Sequence, residues 1–208
     1  RFLGVAVTAA SMLFIVVLTF SAGKQIWYDE FVYFALGGVA SLPERLDLLQ
    51  ATLTTMNQGQ TGGYPLLLSF SLDVFGAGGW HLRLVSLLFF LWMLVGAIAF
   101  LRSQGVSLSV SGVALLLILG YPLVTYFVGV ARNYMPIAAT VVGLLAYYAF
   151  PAPERSTGTT ILGWASAVVG ALINPYIAVY WPLVILITMP GVMQGRGLRT
   201  SFRHAFRQ

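Results

Sequence analysis

Long runs of apolar residues, separated by short polar breaks, make up most of this chain. A helix needs about 20 apolar residues to cross a hydrocarbon core. Six runs approach that length: Phe2 to about Ala22, Leu82 to Leu101, about Val106 to Val124, about Met135 to Phe150, Ile161–Ile173 and Ile177–Val192. Asn174-Pro175-Tyr176 between the last two reads as a tight turn. The first run has no small-residue cleavage site and is followed by further apolar segments, so it reads as a retained anchor rather than a signal peptide. The pattern predicts an all-α fold, a polytopic transmembrane helical bundle of about six spans.

The pattern changes between Gly23 and Trp80. Pro65–Phe75 is apolar but, at about eleven residues, too short to cross. Upstream of it, Ser41-Leu42-Pro43-Glu44 has the form of a capping box, in which the serine side chain caps the backbone three residues on. Leu42, Leu46, Leu49, Leu53 and Met56 then recur at helical spacing and predict an amphipathic helix over 42–56. Such a helix lies flat on a membrane surface or packs as an ordinary surface helix, and the spacing favours neither. Asn57-Gln58-Gly59-Gln60-Thr61-Gly62-Gly63 reads as the connector that ends it. Residues 23–80 thus form a long first loop carrying interfacial helices within a single transmembrane domain, 1–208, that ends in a basic tail, 194–208.

Composition removes the soluble alternatives. Hydrophobic residues are 59% of the chain and charged residues 8%, against roughly a quarter charged in soluble domains. The absence of cysteine excludes disulfides, thiolate metal sites and cysteine nucleophiles. Charge also sets the orientation. If Pro65–Phe75 does not cross, Arg1, Arg102, Arg155, Arg196, Arg199, Arg203 and Arg207 share one side. Lys24, Arg45, Arg83 and Arg132 lie on the other, with Asp29, Glu30, Glu44, Asp47 and Asp73. That is the positive-inside bias, with loop 23–80 exoplasmic and the tail cytoplasmic.

Two places hold candidate chemistry. Asp29 and Glu30 follow Trp27-Tyr28 just beyond the first span. They read as an ordinary aromatic and acidic interface, or as a partly desolvated carboxylate able to act as a general base. Arg132 precedes Tyr134 and Pro136, and proline suits the first turn of a helix. An arginine beside a helix start is a phosphate site or a snorkelling end-marker. His81 has no companion at metal spacing and reads as interfacial; His204 sits in the basic tail. No nucleotide loop or zinc motif is present, and nothing in the pattern suits nucleic acid.

The order of these features resembles the N-terminal half of the GT-C membrane glycosyltransferases, in particular the protein-mannosyltransferase and aminoarabinose-transferase group. Trp27-Tyr28-Asp29-Glu30 follows the first span, then come Gly63-Tyr64-Pro65-Leu66, Leu82-Arg83-Leu84, Ala131-Arg132-Asn133-Tyr134 and Asn174-Pro175-Tyr176, over roughly residues 10–190. The resemblance implies Asp29 as catalytic carboxylate with Glu30 beside it. Arg132 and Tyr134 would lie near the lipid phosphate, Tyr64 in the loop-end motif that helps bind it, and Arg83 would be structural.

It departs from the family in two motifs. Gly63-Tyr64-Pro65 stands where relatives have His-Pro-Pro or Lys-Pro, and Gly129-Val130-Ala131 where many carry an acid. Family enzymes also continue with further spans, so the resemblance implies the N-terminal part of a longer protein or a short relative. The function expected is transfer of a sugar from a polyprenyl-phosphate donor to an acceptor hydroxyl on the exoplasmic face, with inversion, in the plasma (inner) membrane of a bacterium. The alternative is a non-catalytic transmembrane subunit of a larger complex, partnered by other membrane subunits. No cofactor is expected, and a divalent metal is left open.

Overall fold

The computed structural model describes residues 41–56, 63–76, 79–121, 134–150, 154–173 and 179–185. Every regular element among them is α-helical, apart from a 3-10 position at Glu154. In chain order the helices are α1, Leu42–Met56; α2, Gly63–Phe75; α3, Gly79–Ser103; α4, Leu108–Gly120; α5, Tyr134–Ala149; and α6, Thr157–Ile173. Residues 179–185 are helical as well.

The helix ends follow from local chemistry. Ser41 Oγ accepts from the Glu44 amide at 3.4 Å, which starts α1 where the capping box predicts. Gly76, at φ 92°, turns the chain after α2. Gly105, at φ 74°, ends α3: its N–H bonds the Arg102 carbonyl while the Val106 N–H reaches back to Leu101, the paired bonds of a Schellman cap. Ser107 and Ser156 then cap α4 and α6, accepting from Val110 N at 3.3 Å and Thr159 N at 3.1 Å. The Ser156 cap starts α6 at Thr157, four residues before the apolar run begins at Ile161.

One boundary differs from expectation. The run beginning near Val106 was expected to continue to Val124, but α4 stops at Gly120 and Tyr121 is extended, at φ −79° and ψ 119°. Residue 122 is proline, and the residue before a proline is pushed out of the helical region by its ring. Apolarity carries no record of that steric effect. At the end of α5, Arg155 Nε donates to the carbonyls of Tyr147 and Phe150, each at 3.0 Å, with its guanidinium 4.1 Å from the Tyr147 ring centroid. A cation there satisfies orphan carbonyls and suits the negative end of the helix dipole.

The helices approach closely wherever a glycine lies between them. A Cβ on Gly96 of α3 would stand 3.1 Å from Val142 Cγ1 and 3.3 Å from the Gly143 nitrogen on α5. Gly143 in turn lies against Ser166 of α6, and Gly163 of α6 against the Tyr147 ring. Tyr64, Leu68, Val85, Phe89, Met93, Leu115, Met135 and Ile173 join one buried cluster at the centre. A second, around Leu144, Ala167 and Val184, seats residues 179–185, where Trp181 Nε1 donates to the Tyr148 hydroxyl at 2.9 Å.

Helix α6 keeps its small residues inside and its large apolar ones outside. On α6 the buried residues are Thr159, Gly163, Ser166, Ala167, Gly170 and Ile173. The outward ridge is Ile161, Trp164, Val168 and Leu172, each at least 56% exposed. Helices α3 and α4 likewise turn Leu88, Val95, Val110 and Leu117 outward. Residues Arg83–Ser103 of α3 are long and apolar enough to cross a membrane, while α2, α4, α5 and α6 are apolar but shorter.

Candidate functional site

Contacts between helices fix which ends gather together. Gly143 faces Ser166, and Tyr147 faces Gly163, so α5 and α6 run antiparallel. Continuing that register brings the start of α5, with Tyr134 and Met135, beside Leu172 and Ile173 at the end of α6. Gly63 packs against the Leu172 carbonyl, so α2 begins at the same level. The Tyr64 hydroxyl lies 3.0 Å from Ser86 Oγ, and the Ser71 hydroxyl donates to the His81 carbonyl at 3.2 Å. These two pairs run α2 antiparallel to the first turns of α3. The starts of α2 and α5 therefore meet at one end of the bundle, together with the end of α6 and the first turns of α3.

This end carries more buried polarity than an apolar chain would suggest. Tyr64, Ser69 and Ser86 are completely buried, and Arg83 is 2% exposed. The Tyr64 hydroxyl, expected to help bind a lipid phosphate, here shares a hydrogen bond with Ser86 inside the core. Tyr134, expected in the same role, is at the surface as the first residue of α5, 40% exposed. Arg83, expected to be structural, is buried on α3. Asp29, Glu30 and Arg132, the expected catalytic pair and phosphate ligand, lie outside the described residues.

The pair that sequence reasoning missed joins α1 to α2. Arg45 Nη1 donates to Asp73 Oδ2 at 2.5 Å and Nη2 to Oδ1 at 2.7 Å, the parallel fork that guanidinium and carboxylate form best. Nη1 also reaches Ser69 Oγ at 3.4 Å, and the guanidinium lies 5.7 Å from the Phe70 ring centroid. The hydrogen bonds from Arg45 hold the Asp73 carboxyl below the usual carboxylate range, against the opposing effect of desolvation. The same bonds raise the Arg45 guanidinium above its ordinary value. In sequence the two residues are 28 apart and read as separate loop charges. The connector between the two helices was the available signal, since folding 42–56 back on 63–75 sets Arg45 opposite Asp73.

Among the described residues no group of three or more His, Asp or Glu side chains is placed to hold a metal ion. Comparisons of the chain with protein families, curated proteins and solved structures find no match.

Proposed function

We propose that this chain is a multi-pass membrane protein of about six spans and a glycosyltransferase of the GT-C kind, in the plasma membrane of a bacterium. It moves a sugar from a polyprenyl phosphate to an acceptor hydroxyl at the exoplasmic face. The observation that carries the reading is the meeting of two motif-bearing helix starts, Gly63-Tyr64-Pro65 and Tyr134-Met135-Pro136, at one end of the bundle. The packing of α6 supports the membrane: its large apolar side chains point outward while small and hydroxylated ones pack inward, as helices do when lipid is the solvent.

In this reading Asp29 takes the proton from the acceptor hydroxyl as its oxygen attacks the anomeric carbon. The bond to the carrier phosphate breaks on the opposite face of the sugar, so the configuration inverts. Arg132 stabilises the charge that develops on the leaving phosphate. Tyr134, exposed at the head of α5, stands beside that phosphate. Tyr64 acts from within the core, holding α2 to α3 through Ser86.

The test is transfer from a polyprenyl-phosphate sugar by the full chain in lipid. Asp29→Asn keeps the shape and removes the proton acceptor, so the rate should fall about 10²–10⁴-fold with expression unchanged. Transfer that survives undiminished removes Asp29 from the chemistry. Intact wild-type protein that transfers nothing favours the non-catalytic subunit.

A further inference from the structure

We propose that Arg155 seats an anionic lipid headgroup, whose phosphate it binds through the free edge of its guanidinium at the end of the bundle opposite Tyr64. That end gathers the last turns of α3 and α5 and the first turn of α6, and with them Arg102 and Arg155. Arg45, by contrast, has its charge met by Asp73. Among the described residues no acid pairs with Arg155. Its bonds go to the carbonyls of Tyr147 and Phe150, which are neutral, so its full charge remains. Both bonds are made by Nε. The two Nη groups make no hydrogen bond among the described residues, and they are not shut inside the half-buried side chain's surroundings.

The guanidinium is already ordered before anything binds. Two 3.0 Å bonds hold Nε, and the Tyr147 ring lies 4.1 Å from the guanidinium carbon. An arginine free in solvent loses rotamer freedom when it takes a ligand; here folding has ordered it beforehand. The two Nη groups then present donors on one planar edge, which matches two oxygens of a phosphate. Arg102 offers no such edge, since its Nη1 donates to the Val106 carbonyl at 3.3 Å. Beside this seat α6 exposes Ile161 and Trp164, each 63% exposed. At 1.5 Å per residue from Thr157 they lie about 6 and 10 Å into the helix. Acyl chains begin and interfacial tryptophans sit at that depth beneath a headgroup. A dissolved phosphate makes no use of such apolar surface, so the occupant is a lipid. The seat rests on the membrane reading of the chain, and not on the transferase chemistry.

The full chain in detergent is offered phosphatidylglycerol and phosphatidylcholine with the same acyl chains, and native mass spectrometry reads which lipid stays bound. The first phosphatidylglycerol should be retained over phosphatidylcholine. Arg155→Gln should lower that retention about fivefold, the worth of one cation beside an anionic headgroup. Arg102→Gln should lower it less. Arg155→Lys keeps the charge without the planar fork and should restore only part of the loss. Undiminished retention in Arg155→Gln overturns the seat. An equal loss in Arg102→Gln overturns it as well, because total charge would then set the preference. Full restoration by lysine overturns the fork. Melting of the wild-type chain needs no variant: phosphatidylglycerol should raise the midpoint, while phosphatidylcholine and inorganic phosphate should not. A rise of equal size with inorganic phosphate overturns the lipid as occupant. Insertion into liposomes tests the membrane reading separately, so a chain that inserts and shows no phosphatidylglycerol preference fails the seat alone.

Discussion

At the scale of single residues, the side chains with the most consequence are polar groups inside an apolar chain. Asp73 has its folded-state pKa lowered by Arg45, relative to the value of about 3.9 expected when unfolded. The stabilisation this carries is complete above the unfolded value and is lost as pH falls through the lowered folded one. The stability difference between wild type and Asp73→Asn should therefore be flat from about pH 7 to pH 5 and should close only below about pH 4. Denaturation of both proteins across that range checks it. His81, whose ring stands near the Gly76 turn, is present in both and cancels. A difference that already closes near pH 6 would mean another group governs the contact. Tyr64 shows what sequence could not supply at this scale. A tyrosine beside a proline in a loop motif reads equally as a ligand or as core, and only the partner at Ser86, 22 residues on, decides where the hydroxyl goes.

At the scale of elements, apolar runs located the described helices well and their ends less well. Leu42–Met56 is helical where the leucine spacing predicts it, and the short apolar segment ahead of Trp80 is the short helix α2. The misplaced ends were set by single residues, Pro122 after α4 and the Ser156 cap before α6, which act through sterics and hydrogen bonds that a hydropathy pattern does not register. The glycines that allow close approach give a graded test. A Cβ on Gly63 would lie 2.8 Å from the Leu172 carbonyl carbon, and backbone cannot swing aside. Gly63→Ala should destabilise by about 1–3 kcal/mol. Gly96→Ala, with its nearest contact at 3.1 Å on a valine methyl, should cost less. Gly158, with nothing nearer than Ser156 Oγ at 3.8 Å, should gain stability as alanine, by up to about 1 kcal/mol. Unfolding in detergent would rank the three. The order fails if Gly158→Ala proves the most damaging.

At the scale of the whole molecule, the outward apolar ridge of α6 makes a claim about solvent. Nitroxides at Ile161 and Val168, on the outward ridge of α6, should in a bilayer be reached readily by dissolved oxygen and poorly by a water-soluble relaxation agent. A label at Ala167, on the inward face, should be reached poorly by both. Ready access of the aqueous agent at Val168 would contradict a lipid-facing ridge. Among the described residues, helical content was legible in the sequence because long apolar runs have few alternatives. Assembly was not. The contact of Gly96 with Gly143, and of Gly63 with Leu172, depends on which small residues face each other. Many glycines in the chain are equally small, and nothing local distinguishes those that pack.

The short link between α1 and α2 has a kinetic consequence. When the guanidinium and carboxylate separate, Arg45 does not diffuse away, because six residues and the rest of α1 keep it within reach of Asp73. A tether of that kind gives the two groups an effective concentration on the order of millimolar. The two groups are parts of one chain, so their reclosure is set by chain motion and not by bimolecular encounter. A dissolved carboxylate or phosphate that holds α1 away must outcompete Asp73 at its own local concentration, which dilute anions do not, whereas an anion fixed in the neighbouring lipid surface has a local concentration of its own.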